Sequence, residues 1–200
     1  MRKTAFITLS FAALSLLLAA CANEPNTAPF RINYGNLGKI TLNVGSIYVV
    51  DRSGGPLLQP PYVDAQFRPS VIEAIHRWEA DRLQSGGNSG QADFIIKEGN
   101  VVQETLPVKS GMSEWFTREQ GIKYTAHAAV EIDAKGPTAY GLASAEATRS
   151  ITVMEDPSDE EKQKAWHTLL DGLMADLNQN LEQSIRAHLQ SFIVAAPQNP

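Results

Sequence analysis

The chain reads as an α+β protein with the element order β-α-β-β-β-α. It is expected to be a mostly antiparallel sheet with two helices packed on one face, the second of them a long C-terminal helix. Three observations carry this reading. Residues 124–133 and 139–154 alternate buried-type and polar side chains at the two-residue period of half-buried antiparallel strands. Two apolar stripes at helical spacing each begin behind an S-x-x-E capping box, Ser70/Glu73 and Ser158/Glu161. A chain of 200 residues with 43% hydrophobic content has enough material for one real core without disulfides.

The N-terminus comes first. Arg2-Lys3 runs into an apolar stretch over residues 5–18, which is the layout of a secretory signal peptide and too short and weakly flanked for a membrane-spanning helix. It closes on Leu18-Ala19-Ala20-Cys21, and Cys21 is the single cysteine of the chain. This tetrapeptide resembles the lipobox of bacterial lipoproteins. The resemblance implies that residues 1–20 are removed and that Cys21 takes a diacylglycerol (palmitate-type acyl chains) and becomes the lipidated first residue. Burial of acyl methylenes contributes about 0.8 kcal/mol each, so two or more chains anchor stably. Ala22 follows the cysteine, not the Asp that marks inner-membrane retention in enteric lipoproteins. The resemblance therefore implies the periplasmic face of the outer membrane. Residues 21–38, rich in Asn, Pro and Gly, read as the lipidated Cys and a flexible tether.

The folded domain is expected over residues 39–194, with a disordered tail over 195–200. Residues 39–51 read as the first strand, whose apolar phase changes across Gly45-Ser46 as one extra bulge residue would make it change. The Pro- and Gly-rich stretch that follows reads either as a stiff connection or as a recognition surface. The first helix buries Val71, Ala74, Ile75 and Trp78 and ends before the loop 85–91. Residues 92–108 fit either a tight hairpin or one kinked strand, with a lean to the kinked strand. Residues 109–121 read as a loop in which Trp115 and Phe116 lie close together and Thr117 and Gln120 cap a single helical turn. In the last strand, Gly141, Ala143, Ala145 and Ala147 share a face that lets a helix approach closely.

The last helix steps through Trp166, Leu170, Leu173, Leu177, Leu181, Ile185, Leu189 and Phe192. Over residues 158–190 it would be about 50 Å long at 1.5 Å per residue. A typical strand spans about 17–20 Å. The helix is therefore expected to overhang its sheet and to leave Ile185, Leu189, Phe192 and Ile193 as a possible partner-binding end. The competing readings are a bend at Gly172, or cover by the first strand or the tether.

Removal of residues 1–20 takes away two basic side chains and no acids, leaving 15 basic against 22 acidic and a formal charge of −7. A net acidic domain has no general attraction for phosphates, which argues against nucleic acid. With Cys21 lipidated, no thiol remains for a disulfide, a metal or a nucleophile. The four histidines fall on separate elements with no H-x-x-x-H pair. His127, with Glu131 on the same strand face, is the one mild suggestion of a metal site among them, against the plainer reading of a solvated face. Arg149 interrupts an apolar face and is expected to pair with a buried acid. No nucleotide-binding or hydrolase motif occurs. No metal, no cofactor and no catalytic residue is expected.

Together with the lipobox, the element order resembles small envelope lipoproteins such as the lipopolysaccharide-assembly lipoprotein LptE and the transport-auxiliary lipoprotein PqiC. That resemblance implies a non-catalytic accessory subunit that binds the bilayer through acylated Cys21 and docks on a larger envelope protein complex. The other class of function is a periplasmic carrier, holding a lipid or small apolar ligand between helices and sheet in a cavity lined by Leu142, Leu170 and Leu173.

Overall fold

The structure, a computed structural model, describes residues 32–107 and 120–194. The signal segment, Cys21, Trp115, Phe116, the expected helical turn with Thr117 and the tail 195–200 lie outside the described residues. The described elements run β1 (Ile40–Leu42), β2 (Ser46–Asp51), α1 (Val71–Arg82), β3 (Leu83–Ser85), β4 (Gln91–Thr105), β5 (Gln120–Lys135), β6 (Tyr140–Met154) and α2 (Asp159–His188). The α+β class and the long C-terminal helix hold. Both capping boxes form, with Ser70 and Ser158 each accepting from the N–H three residues on and Glu73 and Glu161 answering.

The main sheet has the order β2-β4-β5-β6. Its two long pairs are antiparallel, and β2 joins β4 in parallel through the α1 crossover. The stretch read as one bulged first strand is two strands. At Gly45, whose N–H bonds to the Ser89 and Gly90 carbonyls, the chain passes from a small parallel sheet (β1 with β3) into the main one. The phase change at Gly45-Ser46 thus marks a change of sheet. The kinked-strand reading of residues 92–108 is the one that forms. β4 is continuous, with Lys97 as the extra residue between the Ile96 and Glu98 pairings.

The core lies between one sheet face and the two helices. Phe94, Ile96, Val101, Tyr124, Ala126, Ala128, Val130, Ile132, Ala143 and Ala147 form its floor, and Trp78, Trp166, Leu170, Leu173, Leu177 and Leu181 its roof. Phe67 stacks on Trp166 and meets Tyr124 edge-on, while Trp78 stacks on Phe94. Both indoles spend their N–H inside the fold, Trp78 on Asn178 Oδ1 (2.8 Å) and Trp166 on the Pro69 carbonyl (3.0 Å). The small-residue face of β6 does admit α2. A Cβ built on Gly141 would lie 2.6 Å from Leu189 Cδ2 and 2.9 Å from the His188 carbonyl oxygen.

Packing begins ahead of residue 39. Tyr34 is buried, its N–H bonds to Asp81, and Arg82 donates to the carbonyls of Leu37 and Gly38. The final part of the stretch read as a tether is therefore docked on α1.

Candidate functional site

The partner-binding end expected from helix length does not form. Ile185, Leu189 and Phe192 are buried, Leu189 fully, and Ile193 is half-buried in a bridge to Leu42. The reason is a matter of length. β5 and β6 have 16 and 15 residues, not the usual five or six, and reach about 50 Å. The 30 residues of α2 reach about 45 Å. Helix and sheet match, and the chain beyond α2 folds back on β1, where Asn43 N–H meets the Phe192 carbonyl and Val194 N–H the Thr41 carbonyl.

The other face of the sheet carries no helix among the described residues. Neighbours in register share a face, so its rows can be read across the strands. One row runs Tyr48, Asp93, Asp133, Leu142; the next Val50, Ile95, Glu131, Ser144. Further along, Asn100, His127 and Thr148 make a row, then Glu104, Lys123 and Thr152. Among the described residues, six carboxylates are placed on this face, Asp93, Glu98, Glu104, Glu131, Asp133 and Glu146, and three ammonium groups, Lys97, Lys123 and Lys135, an excess of three negative charges. Each lysine reaches a carboxylate: Lys97 to Glu131 (3.4 Å), Lys123 to Glu104 (3.7 Å) and Lys135 to Asp133 (2.7 Å). Among the described residues, no lysine pairs with Asp93, Glu98 or Glu146.

The β4 bulge shapes the middle of this surface. It places Lys97 and Glu98 consecutively on the open face, and beside them small Ala129 and Ser144 leave a shallow groove of about 660 Å³ that also reaches Glu146 and Asn180. His127 sits at its edge, Nε2 2.9 Å from Glu98 Oε2 and Nδ1 2.9 Å from Thr148 Oγ1. The partner of His127 is Glu98, its diagonal neighbour across the strands just past the bulge, and not Glu131, which takes Lys97. The bonds of His127 to Thr148 and Thr125 to Ser150 (2.9 Å) run along the rows from β5 to β6, and that of His127 to Glu98 runs diagonally to β4. Hydroxyl, imidazole and carboxylate here are joined by hydrogen bonds across β4, β5 and β6.

The edge of β6 beside the groove is closed. Ser184 Oγ accepts the Ser144 N–H (3.1 Å) and Asn180 donates to the Glu146 carbonyl (2.9 Å), so α2 side chains satisfy backbone groups that would otherwise recruit another strand. Arg149 pairs with an acid, but not a buried one: Asp176 meets it in a two-pronged pair at the protein surface. The hydrogen bond to Asp176 is the main reason its guanidinium is held above its ordinary pKa and the carboxyl below.

The residues of the carrier reading are separated. Leu170 and Leu173 are buried in the core, whereas Leu142 is 40% exposed on the opposite face of the sheet. Among the described residues no group of three or more His, Cys, Asp and Glu is placed to hold a metal ion, and no helix is long and apolar enough to cross a membrane.

No protein-family model matches the chain, and no curated protein does. Among solved structures, the crystal structure of a minor lipoprotein from Acinetobacter baumannii is similar at a TM-score of 0.37 and 11% sequence identity, covering 78% of this chain and 99% of that one.

Proposed function

We propose that the protein is a lipid-tethered, non-catalytic accessory subunit of a cell-envelope assembly or transport complex, held at the periplasmic face of the outer membrane through Cys21. Its protein contact is made by the open face of the β2-β4-β5-β6 sheet. The observation that carries this reading is the asymmetry of the sheet: one face is packed under two helices, the other presents an ordered acidic surface with a groove at the β4 bulge. The chain enters the domain on the helix side, at Tyr34 against α1. From Cys21 to Ile32 the eleven intervening steps reach about 36 Å when extended. The helix side then faces the tether and the acidic face is free for a partner with a basic surface, with complementary charge raising the encounter rate.

Two measurements test this. Metabolic labelling with an alkynyl fatty acid is expected to mark the full chain in its own envelope, and Cys21→Ser is expected to lose both the label and sedimentation with membranes. Retention of label in the serine variant would remove the lipid anchor from the reading. Crosslinking and affinity purification of the lipidated protein, read by mass spectrometry, is expected to recover a recurrent stoichiometric membrane partner. The pair Glu98→Lys and Glu146→Lys is expected to weaken that recovery by about tenfold or more, by reversal of two charges on the face. A helix-side control, Glu160→Lys, is expected to leave it unchanged. Equal recovery from all three would clear the sheet face of the role.

A further inference from the structure

The two edges of the main sheet are finished differently. On β6, α2 side chains take the Ser144 N–H and the Glu146 carbonyl. The flank of β4 beyond β2 is lined by residues 61–63: Val63 N–H bonds to the Val101 carbonyl, Gln103 N–H to the Pro61 carbonyl, and Tyr62 bridges Val102. The β2 edge has no such cover. Arg52 N–H, one step past the strand, bonds to the Ile96 carbonyl. The alternation of a parallel ladder then turns Tyr48 and Val50 backbone groups toward β4 and the N–H and C=O groups of Ile47, Val49 and Asp51 outward. Among the described residues these outward groups have no hydrogen-bond partner.

Exposed edges ordinarily carry a charge, a proline or a bulge that turns away another chain. Residues 46–50, Ser-Ile-Tyr-Val-Val, have no charge and no proline, and Asp51 comes only at the end. Apolar side chains stand open here. Tyr48 is 53% exposed and Val49 39%, although Phe94 beside Val49 in register is fully buried. Leu57 and Leu58 follow, also exposed. Leu58 and Asp51 share the wall of a cavity of about 360 Å³, completed on its apolar side by Pro56, Ala65 and Ile72. An unpaired strand edge with a pocket at its end suits an extended peptide, with main-chain bonds supplying affinity and the pocket selecting a side chain.

Charge decides the occupant. A second copy paired at β2 would set two acidic sheet faces side by side, each with three excess negative charges. A segment of another protein need not. Side chains of an added strand alternate between the two faces of the sheet. On the helix side they meet Ile47, Val49 and the cavity, and so suit apolar residues. On the open side they meet Tyr48 and Val50, with Asp93 next in the row, and so suit lysine or arginine.

We infer that β2 pairs with an extended segment of the partner in which apolar and basic residues alternate, one apolar side chain entering the cavity. This rests on the open face being a partner surface, but that reading is tested by Glu98→Lys and Glu146→Lys, outside β2 and the cavity, so the two fail separately. The test titrates the full chain with a synthetic peptide alternating valine and lysine, followed by calorimetry and amide shifts. Saturable binding is expected, with shifts at Ile47, Val49 and Asp51, and none for a valine–glutamate peptide of equal length. Two further peptides are N-methylated, one on every valine amide and one on every lysine amide. In a paired strand only one of these sets points at β2, so one peptide is expected to lose affinity about tenfold or more and the other to keep it. Val49→Pro removes an outward N–H and no bond to β4, a change that an edge strand tolerates, and is expected to weaken the valine–lysine peptide about tenfold. Should that variant unfold, the methylated peptides on the unchanged protein decide alone. Full affinity in both methylated peptides, or equal binding of the valine–glutamate peptide, overturns the inference. Self-association of the full chain that Val49→Pro abolishes would also overturn it and give the edge to a second copy.

Discussion

Arg82→Met is expected to destabilise the protein by about 3–5 kcal/mol, the cost of removing one partner from a buried ion pair. Arg82 ends α1 and is 2% exposed. Its guanidinium holds Glu182 of α2 on one side and the carbonyls of Leu37 and Gly38 on the other, so one planar fork joins three segments. Glu182 is also held by Asn178, which in turn receives the Trp78 indole N–H. Methionine matches the length of the stem and supplies no donor. It takes the donor away from two backbone carbonyls and leaves the Glu182 carboxylate with Asn178 and Arg186 alone. Glu182→Gln, which keeps an acceptor in place, is expected to cost less, about 1–2 kcal/mol. Urea denaturation gives both values, and hydrogen exchange is expected to show residues 34–38 losing protection in Arg82→Met before the sheet does. A loss under 1 kcal/mol would mean that the fork is dispensable. The network has a further role if Cys21 is the anchor: it fixes the point at which the tether leaves the domain, and with it the face the domain turns to the membrane.

Such a network is invisible in a linear reading. Arg82 stands in the last turn of a helix, where a basic residue is expected for the dipole alone, and its partner Glu182 lies a hundred residues away. What was legible is what local physics determines. Ser70/Glu73 and Ser158/Glu161 announce helix starts because the capping bonds are made within four residues. The alternation of Tyr124, Ala126, Ala128, Val130 and Ile132 announces a buried face because strand period alone places them there. The pairing of His127 with Glu98 was out of reach, since it depends on the register between strands just past the Lys97 bulge. The last strand is legible at nearly its full length, 139–154 against Tyr140–Met154, but β5 reads short, 124–133 against Gln120–Lys135, and the expected overhang rested on a typical strand in place of these two. The outer parts of β5 have weak alternation of their own and are held by partners, as Lys123 is by Glu104.

That misjudgement bears on the second large effect. Leu189→Ala is expected to cost about 2–5 kcal/mol of global stability, and Leu189→Asp to prevent folding of the C-terminal part of α2. Had α2 overhung its sheet, the same substitutions would have left stability alone and removed only partner binding. Leu189 is fully buried against the Gly141 position, where the missing side chain lets the helix end come down onto β6. Alanine there opens a cavity that the neighbours fill only by collapse of a backbone contact, because His188 O already stands 2.9 Å from where a Gly141 Cβ would be. Phe192 closes the same end over Gly136 and Gly141, so Leu189→Ala is expected to raise hydrogen exchange of Asn43 and Val194 as the strap of residues 190–194 on β1 loosens. The decisive comparison is between stability and crosslinking in one variant. A stability loss of this size, with partner recovery per folded molecule unchanged, places α2 in the core and leaves recognition to the other face of the sheet. Unchanged stability with lost recovery would return the helix end to the surface and reverse the assignment of the two faces.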